Sequence, residues 1–335
     1  MLKKTQDEIM KNWPKEYERP IVSIRCLAYN HEMFIESALN SFLTQETFFP
    51  FEIIVHDDAS TDKTADIIRK YEMEYPKIIK PILETENQYS KKDNSLGRIV
   101  DSACKGKFIA FCEGDDFWID SFKLQKQVDI LEKFPNVSLV HSGFITVDEH
   151  GTNIFRPEFN EFMKESIQEK GIVSLFKGNH IMTLSIMIRR ELLFDSSIFM
   201  NCPERWDYAL FFAAAFEGNI KYIPKKMGAY RKVSTSITQS QPKRLYWGLY
   251  NVYRYYSKLL LIEKKKKIGK LSLIKCLIYI LSNVITHKDI VFLTRIIKDK
   301  PIRIFIFPIS FIHAFFYKIY WKLLSLRATG SAKCQ

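Results

Sequence analysis

The sequence predicts an α/β fold, a mostly parallel sheet flanked by helices, with a basic helical extension at its C-terminal side. Three observations carry this expectation. Short apolar runs rich in β-branched and aromatic residues recur through the first part of the chain, as buried strands do. Segments with apolar residues at helical spacing alternate with them, the order in which crossover helices build a parallel sheet. Charge is also segregated: residues 243–335 hold 19 Lys and Arg against 3 Asp and Glu, or +16, whereas residues 1–242 hold 31 against 35, or −4.

The elements follow in order. After a polar lead-in over residues 1–19, Ile21 to Ala28 reads as a first strand broken by Tyr29-Asn30-His31. Ile35, Ala38, Leu39, Phe42 and Leu43 then share one helical face between about Glu32 and Gln45. Phe51 to His56 is a second buried strand ending on Asp57-Asp58. Ser60, Thr61 or Asp62 is expected to cap the helix behind it, which carries Ala65, Ile68 and Tyr71 and closes at Pro76. Ile78 to Leu83 is a third strand, Leu96 to Cys104 a helix, and Phe108 to Cys112 the next strand. Phe122 to Phe134 is a helix with Leu124, Val128 and Leu131 inward, stopped by Pro135 and followed by strand Val137 to His141. Gly143 to Pro157 is turn-rich and reads as a hairpin excursion. Ser166 to Phe176 reads as a helix, Ile181 to Ile188 as a strand, Ala209 to Phe216 as an apolar helix, and Ile220 to Ile223 and Gly228 to Tyr230 as two short strands.

The totals exclude several classes. At 335 residues with 47% hydrophobic and 26% charged content, the chain is globular in composition. Its six cysteines are scattered without a C-x-x-C pair, so neither a zinc site nor a disulfide framework is expected, and a reducing compartment is. The N-terminus lacks the apolar core of a signal peptide. No nucleic-acid-binding motif is present.

The chemistry concentrates in KFIAFCEGDDFWID, Lys107 to Asp120. An apolar strand here stops at Glu113-Gly114-Asp115-Asp116 and delivers adjacent carboxylates to its C-terminal end, where open α/β sheets bind ligands. Adjacent anions repel and require a compensating cation or donor network. Hard oxygen ligands at such a place suit Mg²⁺ or Mn²⁺ holding a phosphorylated substrate. Glu-Gly-Asp-Asp is equally good composition for a polar turn.

Three segments together, VSIRCLAYNHEMFIESALNSFLTQ, FEIIVHDDASTDKTADII and KFIAFCEGDDFWIDSFKLQKQV, resemble the inverting family 2 glycosyltransferases with the GT-A fold. The resemblance covers Pro20 to Val140 strongly and Glu204 to Tyr230 more weakly, so that residues 20–241 are expected to form the GT-A-like domain. It implies that Tyr29 lies beside a nucleotide base and that Asp57 and Asp58 contact base and ribose. Asp116 is expected to coordinate a Mg²⁺ or Mn²⁺ ion bridging the donor diphosphate, with Asp115 against the ribose. Asp207 is expected to be the general base, with Glu204 as the fallback. Each role has a plainer competitor: a core aromatic for Tyr29, helix capping for Asp57 and Asp58, an N-cap for Asp207. Arg231, with Lys232 beside it, is either a diphosphate contact or a solvated strand end. His31, His56, His141 and His180 have no metal spacing and are assigned no role.

The expected activity is therefore sugar transfer, with inversion, from a nucleotide-sugar donor (UDP-linked by preference) to a glycan or lipid-linked acceptor in surface polysaccharide or lipid-linked glycan assembly. Residues 242–335, aromatic and basic, carry two uncharged stretches, Cys276 to His287 and Ile304 to Tyr317, of 12 and 14 residues. Both are shorter than the roughly 18 residues that span a bilayer, and their basic flanks suit interfacial helices on an anionic surface. A cytoplasmic enzyme held peripherally at the inner membrane face is the resulting expectation. An ordinary helical subdomain competes with the membrane reading of the tail. For the whole chain, the competing functions are a nucleotide-sugar-binding module without catalysis and a membrane-binding protein whose tail is primary.

Overall fold

The computed structural model describes residues 4–154, 171–177, 179–202, 204, 207–233 and 242–262. They fall into two units, residues 1–236 and 237–335. In the first, strands β1 (Val22–Ala28), β2 (Phe51–Asp57), β3 (Ile79–Leu83), β4 (Phe108–Phe111), β5 (Phe117–Trp118), β6 (Val137–Val147), β7 (Met187–Arg189) and β8 (Asn219–Arg231) form one sheet in the order β3-β2-β1-β4-β7-β6-β8-β5. Four pairings are parallel, β1 with β2 and β4, β2 with β3, and β6 with β8; the three involving β7 and β5 are antiparallel.

The parallel half follows from its sequence. Every residue of β2 and β4 is buried, as expected of strands covered on both faces. Val22, Ile24 and Cys26 of β1 pack with Ile53 and Val55 of β2 and with Phe108 and Ala110 of β4. Helix Ile35–Leu43 adds Ile35, Ala38, Leu39 and Phe42 to that layer, and helix Thr64–Glu74 adds Ile68 and Tyr71. The polar lead-in also reaches this core. Thr5 and Glu8 form a capping box that starts helix Gln6–Met10, and Ile9 and Trp13 are buried, Trp13 donating from Nε1 to Thr47 Oγ1 at 2.9 Å.

The second half departs from the sequence expectation in three places. Strand β6 does not end at His141 but runs to Val147, with Gly143 to Val147 paired in parallel with β8, and the expected hairpin comes later, where Val147 bridges Asn153 antiparallel, Ile154 N–H donates to Thr146 O and Asp148 N–H donates to Thr152 O. The two short strands expected at 220–223 and 228–230 are one, β8. Its register jumps between Ser142 and Gly143, opposite Ile223 and Lys226, so a bulge takes up Pro224 and Lys225 where a ladder donor is missing. Ile181 to Ile188 is not a continuous strand: a 3₁₀ turn, Thr183–Ser185, precedes the short β7. The helix expected at 166–176 lies partly outside the described residues, and Ile172–Lys177 is helical.

In the second unit, Pro242–Ile262 is one helix of 21 residues with Val252, Tyr253, Tyr256 and Leu260 buried. Proline suits its first position. No helix among the described residues is long and apolar enough to cross a membrane. The two uncharged stretches of the tail lie outside the described residues.

Candidate active site

Three adjacent parallel strands, β2, β1 and β4, end side by side and bring the predicted residues to one edge. Ala28 is in register with Asp57, and the Asp58 amide donates to the Ala28 carbonyl at 3.0 Å, which puts Tyr29 beside the Asp57-Asp58 pair. Past β4, Cys112 N–H donates to Arg25 O and Gly114 N–H to Leu27 O, so Glu113 to Asp116 stay on the rim of β1. Gly114 is required by this approach. A Cβ there would lie 2.8 Å from His31 Nδ1 and 3.0 Å from Ile35 Cδ1.

Left-handed turns at Asn30 (φ 55°) and Ala59 (φ 59°) reverse the chain at the ends of β1 and β2, and the two loops lock together. Ser60 Oγ accepts from Asn30 N–H, Asn30 Oδ1 from Thr61 N–H, Asp62 Oδ2 from Glu32 N–H, Glu32 Oε2 from Lys63 N–H, and Thr64 Oγ1 from His31 N–H, all between 2.8 and 3.0 Å. Tyr29 is 47% exposed above this wall and is therefore not a core aromatic. Asp57 is buried and accepts from the Ser60 hydroxyl and amide. Asp58 is buried and accepts from the backbone amides of Gln88 and Tyr89 at 2.7 and 3.1 Å. The helix that follows has Lys63 at its N-cap without a side-chain cap, and Asp62 just before it accepts from Thr64 N–H through Oδ1.

Two arginines border the acid loop. Arg25 donates to Asp101 at 2.6 Å; burial works against its charge, but Asp101 and Glu113 outweigh it and raise its pKa above the usual value. Arg231 is not a solvated strand end. It is 6% exposed, donates from its amide to Asp116 Oδ1 at 2.7 Å, from Nε to Asp115 O at 2.8 Å and from Nη1 to Glu149 O at 2.8 Å, and lies over the rings of Phe34 and Phe117.

Burial, then Asp115, hold the buried Asp116 carboxyl well above the ordinary carboxylate range. Burial also pushes Glu113 up to about 7, with Arg25 opposing and Asp115 and Asp207 adding to the shift. Such a cluster of oxygen donors, short of positive charge, fits a divalent cation. Among the described residues no three or more His, Cys, Asp or Glu side chains are grouped to hold a metal by themselves. An ion at Asp116 would therefore complete its shell with phosphate oxygens and water, as Mg²⁺ commonly does.

Asp207 opens helix Asp207–Glu217 and is exposed. Its Oδ2 accepts from Thr183 Oγ1 at 2.6 Å and its Oδ1 from Tyr208 N–H at 2.7 Å. Glu204 is partly exposed and next to Cys202, whose thiol burial raises to about 11. Two residues at the site carry no motif in the sequence. His31 sits against Gly114 with Nδ1 buried and without a partner, and burial lowers its pKa against the pull of Asp115, Asp62 and Asp57. Thr183 reaches Asp207 across 24 residues. Only the adjacency of His31 to Tyr29-Asn30 hinted at the first; nothing hinted at the second.

A family model described as Glycosyl transferase family 2 matches residues 23–195, just over half of the chain. The chain belongs to that family. An uncharacterized protein of Mycobacterium tuberculosis is 34% identical over 232 residues, 68% of this chain and 63% of the relative, so the match spans less than two thirds of that relative's length. A putative teichuronic acid biosynthesis glycosyltransferase of Bacillus subtilis is 27% identical over 70% of this chain and 86% of its own. Among solved structures, a mannosyltransferase of Pyrobaculum calidifontis in complex with GDP-Man and Mn²⁺ superposes with a TM-score of 0.53 at 17% identity, covering 91% of this family 2 chain and 88% of the other. S. aureus TarS with UDP-GlcNAc gives a TM-score of 0.52 at 19% identity over 70% and 66%. At these identities the likeness shows the fold, an α/β GT-A-type sheet flanked by helices.

Proposed function

We propose that this family 2 chain transfers a sugar from a nucleotide-sugar donor, UDP-linked by preference, to an acceptor hydroxyl with inversion, in assembly of a surface or lipid-linked glycan. The observation that carries the reading is the meeting, at one sheet edge, of an exposed aromatic ring and two acid pairs at or just past the ends of β2 and β4, on either side of β1, with the carboxylate of Asp207 close enough to act on Glu113. Tyr29 offers a ring face to the base. Asp57 and Asp58 keep lone pairs for base or ribose, since each carboxylate oxygen accepts two hydrogen bonds. Asp116, with Asp115 beside it, would hold Mg²⁺ or Mn²⁺, which when bound neutralises the leaving diphosphate as a Lewis acid.

Asp207 takes the proton of the acceptor hydroxyl as that oxygen bonds to the anomeric carbon. The bond from carbon to phosphate oxygen breaks on the opposite face, and the nucleoside diphosphate leaves with the electron pair. Glu204 is the alternative base. The putative teichuronic acid relative supports a surface-glycan role. The solved neighbours carry UDP-GlcNAc in one case and GDP-Man in the other, so they do not choose the nucleotide. A binding module without catalysis would need the Asp57-Asp58 end but not Asp116 or Asp207 placed as they are. The +16 tail supports peripheral attachment to an anionic membrane face, at about 1 kcal/mol for each basic residue at the surface.

Incubating the protein with a panel of nucleotide sugars and Mn²⁺, and reading the anomeric configuration of the product by NMR, tests the reading. Release of nucleoside diphosphate with an inverted product supports it; donor binding without turnover against any acceptor leaves the binding module. If the protein ignores anionic vesicles at low salt, the membrane part fails.

A further inference from the structure

The catalytic carboxylate is mounted on a part of the molecule that no motif marks. The 3₁₀ turn Thr183–Ser185 is fixed from several sides. Trp118 Nε1 donates to Leu184 O at 2.9 Å, and Gln127 Nε2 donates to Ser185 O at 2.8 Å. Ser185 closes the turn on itself, donating from both its amide and its hydroxyl to Met182 O. Leu184 is 1% exposed and packs so closely on Gly228 that a Cβ there would overlap its Cδ1. Thr183 stands at the start of this turn with its hydroxyl on Asp207 Oδ2 at 2.6 Å. Trp118 lies two residues beyond Asp116, so a short chain of contacts runs from the acid loop through Trp118, Leu184 and Thr183 to Asp207.

We propose that Thr183 is a positioning residue for the catalytic base, fixing the Asp207 carboxylate relative to the Asp115-Asp116 loop. The inference rests on the reading of Asp207 as the base. A carboxylate at an exposed helix start is free to turn about its last bond. With Oδ1 on Tyr208 N–H and Oδ2 on Thr183 Oγ1, one donor holds each oxygen, and one lone pair on each remains for the incoming hydroxyl. Threonine suits the task because its branched side chain is stiff at χ1 and keeps the hydroxyl aimed. The effect belongs to orientation, where a displacement near 1 Å costs on the order of 100-fold in rate.

The test compares Thr183→Val, nearly isosteric but without the donor, with Thr183→Ser and Asp207→Asn, each in the full chain with Mn²⁺ and the donor that the wild type turns over. Thr183→Val is expected to lower kcat about 10- to 100-fold with donor KM and Tm close to wild type, the scale that misorientation sets. Thr183→Ser, which restores the hydroxyl, is expected to recover most of the rate. If Asp207→Asn abolishes turnover while Thr183→Val stays within about twofold of wild type, the positioning role is overturned and the base reading stands. Should Thr183→Ser be as slow as Thr183→Val, the methyl group rather than the hydroxyl matters, and the role is overturned again. Full activity in Asp207→Asn overturns the base reading and the inference with it.

Discussion

Replacing Arg231 by Met separates a structural clamp from a substrate contact. The side chain gives up two short charge-assisted hydrogen bonds, to Asp115 O and Glu149 O, both 2.8 Å, and a long one to Asp148 O at 3.4 Å that counts for little. Hydrogen bonds of charged groups contribute about 1.5–3 kcal/mol each. Contacts to the rings of Phe34 and Phe117, at 4.9 and 5.2 Å, add about 0.5–1 kcal/mol each. Against this stands the cost of burying the guanidinium, several kcal/mol, which also lowers its pKa. The net loss is about 3 kcal/mol. For a unit of residues 1–236, each kcal/mol moves Tm by about 2–4 °C, so Arg231→Met is expected to melt about 6–12 °C lower. The main-chain bond from Arg231 to Asp116 Oδ1 does not depend on the side chain, so the acid loop loosens without being lost. Calorimetry and donor titration on the same sample read both effects. A variant with wild-type Tm and no donor affinity would refute the clamp and return Arg231 to the diphosphate.

Three further outcomes are expected. Asp116→Asn keeps an acceptor for the Arg231 amide but removes the anionic ligand, so Mn²⁺-dependent turnover is expected to vanish while UDP binding measured calorimetrically survives; full turnover in excess chelator contradicts this. Asp58→Ala frees the amides of Gln88 and Tyr89, and trypsin is expected to cut faster after Lys91 or Lys92, with UDP slowing the cleavage; an unchanged rate rules out the anchor. His141 is buried with its pKa lowered to about 3, burial acting first and His180 second. Between about pH 6.5 and 3 the unfolded chain therefore binds a proton that the folded chain refuses. Stability falls as pH falls, by about 2 kcal/mol from pH 7.5 to 5, and urea midpoints of wild type and His141→Phe at both pH values test whether that slope disappears with the imidazole.

What the sequence revealed follows the range of the interactions involved. Apolar periodicity is local, so β1 to β4 and their helices were legible to within a few residues, and the acid pairs stood out because each interrupts a buried run. The second half depends on partners far away in sequence. Strand β8 alternates poorly and contains Pro224, and only its long pairing with β6 makes Asn219–Arg231 one strand, the bulge absorbing the proline. The place of His31 at the site comes from β1 lying between β2 and β4, an arrangement that no spacing of histidines encodes. Thr183 is legible only once β7 has turned the chain back against Trp118.

The acid loop also shows why counting nearby cations misleads. Glu113, Asp115 and Asp116 have Arg25 and Arg231 for neighbours, which on paper leaves one uncompensated negative charge. Arg25 makes its short bond to Asp101, and the Arg231 guanidinium bonds to main-chain oxygens, so neither side chain is hydrogen-bonded to the Asp116 carboxylate. Among the described residues only an uncharged main-chain N–H reaches it, and burial, then Asp115, keep its pKa raised. Fixed cations pointed at the loop would have satisfied the acids and closed the place to a ligand. Holding the arginines in the walls fixes the shape of the loop while leaving its charge unmet, which is what the proposed binding of a divalent cation together with a donor diphosphate requires.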